Sequence, residues 1–178
     1  MKKVVWDAME INGITYHVAK SSKGLVAMSL GGEDEATFAK SVRKRVPDAE
    51  LVHDPAALAV EFQQVREYFA GERHTFDVAL DVRGTAFQEA VWAAMCDIPY
   101  GETRSYLDIA RTIGNEKSVR AVGGACGANS IPLIIPCHRV VGKSGAMTGF
   151  SAAGGIQTKE HLLRFEAERS QKGLFSTQ

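Results

Sequence analysis

The stretch Ile131-Pro132-Leu133-Ile134-Ile135-Pro136-Cys137-His138-Arg139-Val140-Val141 decides the reading of this chain. Its first five residues form an apolar run suited to a buried strand or core segment. Pro136 has no backbone N–H and interrupts pairing immediately before the cysteine. A thiol placed there sits on a rigid support with a histidine next to it in the chain. Free cysteine has a pKa of about 8.5, so a reactive one needs a base or positive surroundings to become thiolate. His138, Arg139 and Lys143 can supply both. Taken alone, Cys137 fits ordinary packing equally well, because free cysteines are among the most buried residues.

Flanking residues add to the pattern. Asn129 lies eight residues upstream, and Lys159 to Glu166 reads as a helix. Leu162, Leu163 and Glu166 recur at i, i+1 and i+4, which puts the carboxylate on a face with two apolar side chains. A histidine base needs an orienting third group, and Glu166 is the candidate.

Between residues 81 and 128 the pattern is helical. Thr85-Ala86-Phe87-Gln88 is a capping box opening a helix through Cys96, with Phe87, Val91, Trp92, Met95 and Cys96 in the core pattern. Ser105-Tyr106-Leu107-Asp108 is a second capping box, starting a helix to Ile113 that Gly114-Asn115 ends. Another helix is expected from about Glu116 to Gly127, completing a helix-turn-helix. That helix holds Ser118, Arg120, Ala121, Gly123 and Gly124, and each glycine weakens it by about 1 kcal/mol relative to alanine. Close approach of a DNA backbone or tight helix-on-helix packing would each explain the small residues.

Net charge is zero, but it is unevenly spread. Residues 1–80 hold ten basic and twelve acidic side chains, whereas 104–150 hold six basic against two acidic. A basic footprint confined to one region suits phosphate contact.

The N-terminal part reads as β: Val4–Met9 and Ile14–Ala19 flank Asn12-Gly13, a type I′ hairpin signal, followed by Leu25–Leu30. A helix over 35–46, a short strand near Leu51, a helix after Asp54-Pro55 stopped by Gly71, and a strand at Phe76–Leu80 complete it. The expected fold class is therefore α+β. Residues 1–80 form a supporting domain, and residues 81–178 form a mainly helical domain that binds DNA and carries the chemistry.

With 178 residues, 45% of them hydrophobic, the chain can bury a real core. Three cysteines without a CxxC pair point to reduced thiols, with no metal site and no cofactor. No sustained apolar segment opens the chain, so a soluble, cytoplasmic protein without membrane association is expected, and the tail after Arg169 is expected to fray.

The Pro-Cys-His-Arg-Val core, Asn129 and the Leu-Leu-x-x-Glu helix together resemble the O6-alkylguanine-DNA alkyltransferases, the methylated-DNA–protein-cysteine methyltransferases. The resemblance covers roughly Asp81 to Glu168. It implies single-turnover transfer of an alkyl group from O6 of guanine (or O4 of thymine) in double-stranded DNA to Cys137, by a monomer that flips the base through its minor-groove helix. It casts His138 as base and Glu166 as its partner, Tyr106 as donor to guanine N3, and Asn129 as the tie to the recognition helix. Arg120 enters the space left by the base, and Ser118, Ala121, Gly123, Gly124 and Arg139 meet DNA. Pro132, Val140, Phe150 and Ser151 line the pocket, where Pro132 matches a proline able to pack against a benzyl group. One departure stands out: from Phe150 to Lys159 the chain is two residues longer than the family pattern, and Phe150 lacks the usual hydroxyl.

Three other readings compete. An alkyltransferase-like lesion-binding protein usually lacks the cysteine, a helix-turn-helix regulator would carry an incidental thiol, and a cysteine hydrolase would turn over.

Overall fold

Asn12 and Gly13 adopt φ of 54° and 82°, the left-handed pair a type I′ turn requires. They join β1 (Lys2–Ile11) to β2 (Ile14–Lys20) in a hairpin with Ile11 opposite Ile14. The computed structural model describes residues 2–142 and 155–176, with side chains through residue 170. These residues divide at Gly84/Thr85 into two compact units. The architecture is α+β, and no helix among the described residues is long and apolar enough to cross a membrane.

In the first unit, β3 (Leu25–Ser29) pairs antiparallel with β2, and β4 (Ala49–His53) pairs parallel with β1, giving the order β3-β2-β1-β4. Helix α1 (Glu35–Arg45), capped by Asp34, packs Phe38 and Val42 on Val4, Ala19, Val26 and Ala27. Helix α2 (Ala59–Phe69) serves the opposite face, where Phe69 meets Tyr16 with ring centroids 5.2 Å apart. Strand β2 is accordingly buried at four successive residues, Tyr16 to Ala19.

The expected strand at Phe76–Leu80 does not form. Leu80 makes a single bridge to Leu25. Upstream of it, the Gln64 side chain takes both backbone groups of Asp77: its Nε2 donates to Asp77 O (3.2 Å) and its Oε1 accepts from Asp77 N (2.8 Å). A side-chain amide has satisfied the groups a neighbouring strand would have used.

In the second unit, Thr85 and Gln88 close both bonds of the first capping box, opening α3 (Ala86–Cys96). Val91, Trp92 and Met95 are buried as the spacing requires, but Cys96, at the final position, is exposed rather than part of the core. The second capping box joins Ser105 to Asp108 and opens α4 (Tyr106–Thr112), which follows β5 (Arg104–Ser105). Gly114, at φ 78°, turns the chain. The next helix opens with a 3-10 turn over Glu116–Ser118, where Ser118 Oγ donates to Asn115 O (2.6 Å), before α5 (Val119–Gly127). Trp92 Nε1 donates to Ala125 O (2.9 Å), tying α5 to α3. Another 3-10 turn, Cys137–Arg139, leads into β6 (Val140–Val141), parallel to β5. Helix α6 (Gly155–Ser176) closes the unit and continues past Arg169, where the sequence suggests fraying.

Candidate active site

Ile131 to Ile135 is buried throughout, but it is a compact turn, not a strand. Prolines at 132 and 136 remove the donors a ladder would need, and Leu133 adopts φ 77°, a strained value for a side chain branched beyond Cβ. Asn129 clasps the turn at both ends, its Nδ2 donating to Ile135 O (2.9 Å) and its Oδ1 accepting from Ile131 N (2.9 Å). Pro136, at φ −80° and ψ 64°, is the centre of an inverse γ-turn that Cys137 N closes onto Ile135 O (2.8 Å). Cys137 thus begins its 3-10 turn with a backbone fixed on both sides.

The same turn buries His138 completely, and α6 brings Glu166 to it, with His138 Nε2 2.7 Å from Glu166 Oε2. The carboxylate accepts three further hydrogen bonds: from Arg139 Nε to Oε1 (2.8 Å), Arg139 Nη2 to Oε2 (3.0 Å) and Gly101 N to Oε1 (3.2 Å). Burial alone would raise its pKa, but the hydrogen bonds and charges of His138 and Arg139 outweigh burial and hold Glu166 well below the usual carboxylate range. An ionised carboxylate only accepts, so Nε2 of His138 carries a proton. Its Nδ1 is buried and takes no hydrogen bond from the described residues. Burial lowers the His138 pKa, and Arg139 and Lys159 act with it against the opposing pull of Glu166.

Cys137 is 6% exposed. Burial pushes its thiol up, against an Asn129 hydrogen bond and the charge of Lys159, which both pull it down. The resting group is a protonated thiol rather than the preformed thiolate that basic neighbours suggest. Lys159, 1% exposed, has its own pKa lowered by burial, and its Nζ lies 5.8 Å from the Tyr106 ring centroid. The site role of this ammonium was missing from the sequence reading, although the i, i+3, i+7 spacing of Lys159, Leu162 and Glu166 marks one helical face.

The other expected residues fall into distinct places. Tyr106 is half-buried at the first position of α4. Arg120 and Ala121 are exposed on α5, with Ser118 half-buried just before it. Gly123 and Gly124 face open space, since a Cβ at either would meet nothing within 4 Å. Helix-on-helix packing therefore does not account for them. Arg139 is a correction: expected at the DNA surface, it is 7% exposed, with Nη1 donating to Ile98 O (2.8 Å) and its other nitrogens on Glu166. Pro132 and Val140 are buried, and the Val140 N–H is turned onto Cys137 O. Phe150, Ser151 and Lys143 lie outside the described residues.

Known proteins resemble this chain over both of its units. Family models described as 6-O-methylguanine DNA methyltransferase match the chain twice, as the ribonuclease-like domain over residues 15–82 and the DNA binding domain over residues 86–168. The inducible methylated-DNA–protein-cysteine methyltransferase of Bacillus subtilis is 39% identical over 165 residues, covering 93% of this chain and 91% of the relative. The crystal structure of the Mycobacterium tuberculosis O6-methylguanine methyltransferase is 40% identical, covers 93% of this chain and 94% of that one, and superposes with a TM-score of 0.79. A structure of the Mycobacterium tuberculosis protein in complex with DNA gives the same TM-score at 39% identity, again covering 93% and 94% of the two chains. The chain belongs to the methylated-DNA–protein-cysteine methyltransferase family.

The buried pair has a pH signature. His138 titrates below its ordinary 6.5, so its contribution to stability is complete above pH 6.5 and is lost as pH falls through its lowered folded value. Glu166, also lowered, contributes fully above about 4.5 and loses its share further down. Urea denaturation at a series of pH values is expected to show stability falling from pH 6.5. His138→Gln should flatten the upper part of that decline and also shrink the part below pH 4.5, because His138 is the first of the two partners that hold Glu166 low.

Proposed function

We propose that Cys137 is the alkyl acceptor, a reading carried by one observation: a buried thiol and the adjoining His138 lie on a turn whose backbone is fixed at both ends, and α6 brings an ionised Glu166 to the imidazole. DNA containing O6-alkylguanine is the substrate. His138 takes the thiol proton at Nδ1, directly or across one water, while Glu166 holds the ring through Nε2 and stabilises the imidazolium that forms. The sulfur attacks the alkyl carbon; the S–C bond forms and the C–O6 bond breaks, leaving its electron pair on guanine. Tyr106 donates a hydrogen bond to N3, where that charge is delocalised. The guanine anion takes a proton from water and guanine is restored, while His138 returns its proton to water; the thioether has no easy leaving group, so each molecule acts once.

The residues of α4 and α5 are the DNA interface of the C-terminal unit, with residues 1–80 as support. The target atom lies inside a stacked duplex, so the base is extruded at a cost of a few kcal/mol. Arg120, exposed near the start of α5, fills the space it leaves, and Ser118 and Ala121 flank the backbone. The open faces of Gly123 and Gly124 admit the DNA backbone closely. The protein acts as a cytoplasmic monomer without membrane association.

Intact mass after incubation with O6-methylguanine DNA tests the central reading. One methyl group per protein, mapped to Cys137 and absent in Cys137→Ala, is expected; several turnovers per molecule would exclude it. Gly124→Ala should separate folding from binding. Helix stability is expected to rise by about 1 kcal/mol, while DNA affinity falls by roughly tenfold, equivalent to about 1.4 kcal/mol; unchanged affinity in a filter or anisotropy assay would remove this face from the interface. Arg120→Ala should slow repair of duplex DNA by on the order of tenfold more than reaction with free O6-benzylguanine, which needs no extrusion. Equal losses on the two substrates would refute the role in flipping.

A further inference from the structure

We propose that Arg139 is a positioning residue that sets the resting state of the base: its guanidinium fork occupies both oxygens of Glu166 and compensates their charge, leaving His138 neutral with an Nδ1 lone pair ready for the thiol proton. This rests on the reading of His138 as the base. The geometry is that of a clamp. Nε lies 2.8 Å from Oε1 and Nη2 3.0 Å from Oε2, while Nη1 is anchored on Ile98 O at 2.8 Å. The Arg139 side chain is 8% exposed and that of Glu166 fully buried, so water does little to weaken the pairing.

A buried carboxylate with histidine as its sole cationic partner draws a proton onto the imidazole. Here a permanent cation already holds that carboxylate, and arginine does not give up its proton. Among the other charged and titratable groups nearby, Lys159 acts on His138 in the same direction as Arg139. Lys159 comes from α6, like Glu166, and Cys137 adjoins on the turn itself. Tyr100, from the turn between α3 and β5, faces Arg139 and Glu166, with Arg169 of α6 beside it. Glu166 is the one carboxylate in this group, and it is matched by Arg139 before His138 is counted. A protonated His138 has no lone pair to offer the thiol, so burial of the ring together with the clamp on its carboxylate keeps the base usable at neutral pH. Once the proton arrives, Oε2 of Glu166 remains in place to hold the imidazolium.

The test reads the imidazole directly. In the 15N-labelled wild-type protein, the His138 resonances, assigned by their loss in His138→Gln, are expected to show the neutral Nε2–H tautomer at pH 7. Arg139→Gln should convert His138 to imidazolium at that pH and move the acid limb of the alkylation rate up by about one pH unit or more. Arg139→Lys, which keeps the charge but loses the fork, should lower the rate and leave the limb near its original position. The double variant Arg139→Gln/Glu166→Gln should return the limb downward, because the carboxylate charge is gone. An imidazolium in the wild type at pH 7, or a folded Arg139→Gln with the wild-type titration, would overturn the proposal. The wild-type spectrum decides the resting state even if Arg139→Gln fails to fold. Methyl transfer to Cys137, scored separately by mass, distinguishes a failure of this proposal from a failure of the functional reading.

Discussion

The Glu166 carboxylate is the group on which the C-terminal unit depends. It is fully buried and ionised, which is tolerable only because four hydrogen bonds converge on it. Those donors come from two segments far apart in sequence, the 3-10 turn of Cys137–Arg139 and the turn after α3, while the acceptor stands on α6. One charge therefore gathers three pieces of backbone. Gly101 contributes its N–H at φ 80°, and a side chain there would collide with Ser170. Glycine is required twice at that position, by conformation and by space. Removing one partner of such a buried pair typically costs about 3–5 kcal/mol. Fold and chemistry are consequently hard to alter separately here.

Much of this was legible in the sequence where local rules are strong. Asn12-Gly13, the boxes at Thr85 and Ser105, and the stop at Gly114 each depend on a few neighbouring residues, and they form as read. The pairing of His138 with Glu166 was legible for a different reason: an uncommon motif and a carboxylate on an apolar helical face. Where long-range satisfaction of polar groups decides, the sequence was less informative. Phe76–Leu80 has strand composition, yet Gln64, a residue of another element, takes the backbone of Asp77. Arg139 has the look of a surface cation because most arginines are exposed, and only the partner across 27 residues shows why it is buried. Lys159 follows the same logic. Its burial depends on the thiols and the Tyr106 ring that the fold sets around it.

Helix α5 presents two unlike sides. Val122, Ala125 and Cys126 face inward, where Trp92 fixes the helix through Ala125 O and Cys126 Sγ approaches Met95 Sδ at 3.5 Å. Outward lie residues that contribute little to their own helix. Such a helix is held in place by its neighbours rather than by its propensity, as short helices in proteins generally are.

The depth of Cys137 has a consequence for the lifetime of the protein. A reagent that works once is lost whenever it reacts with anything else. Thiolates, not thiols, are consumed by peroxides and stray electrophiles, and burial with a raised pKa keeps this sulfur in the form that ignores them. The turn thus serves as storage: the molecule keeps its single dose of reactivity until a base lies close enough to the sulfur to receive it.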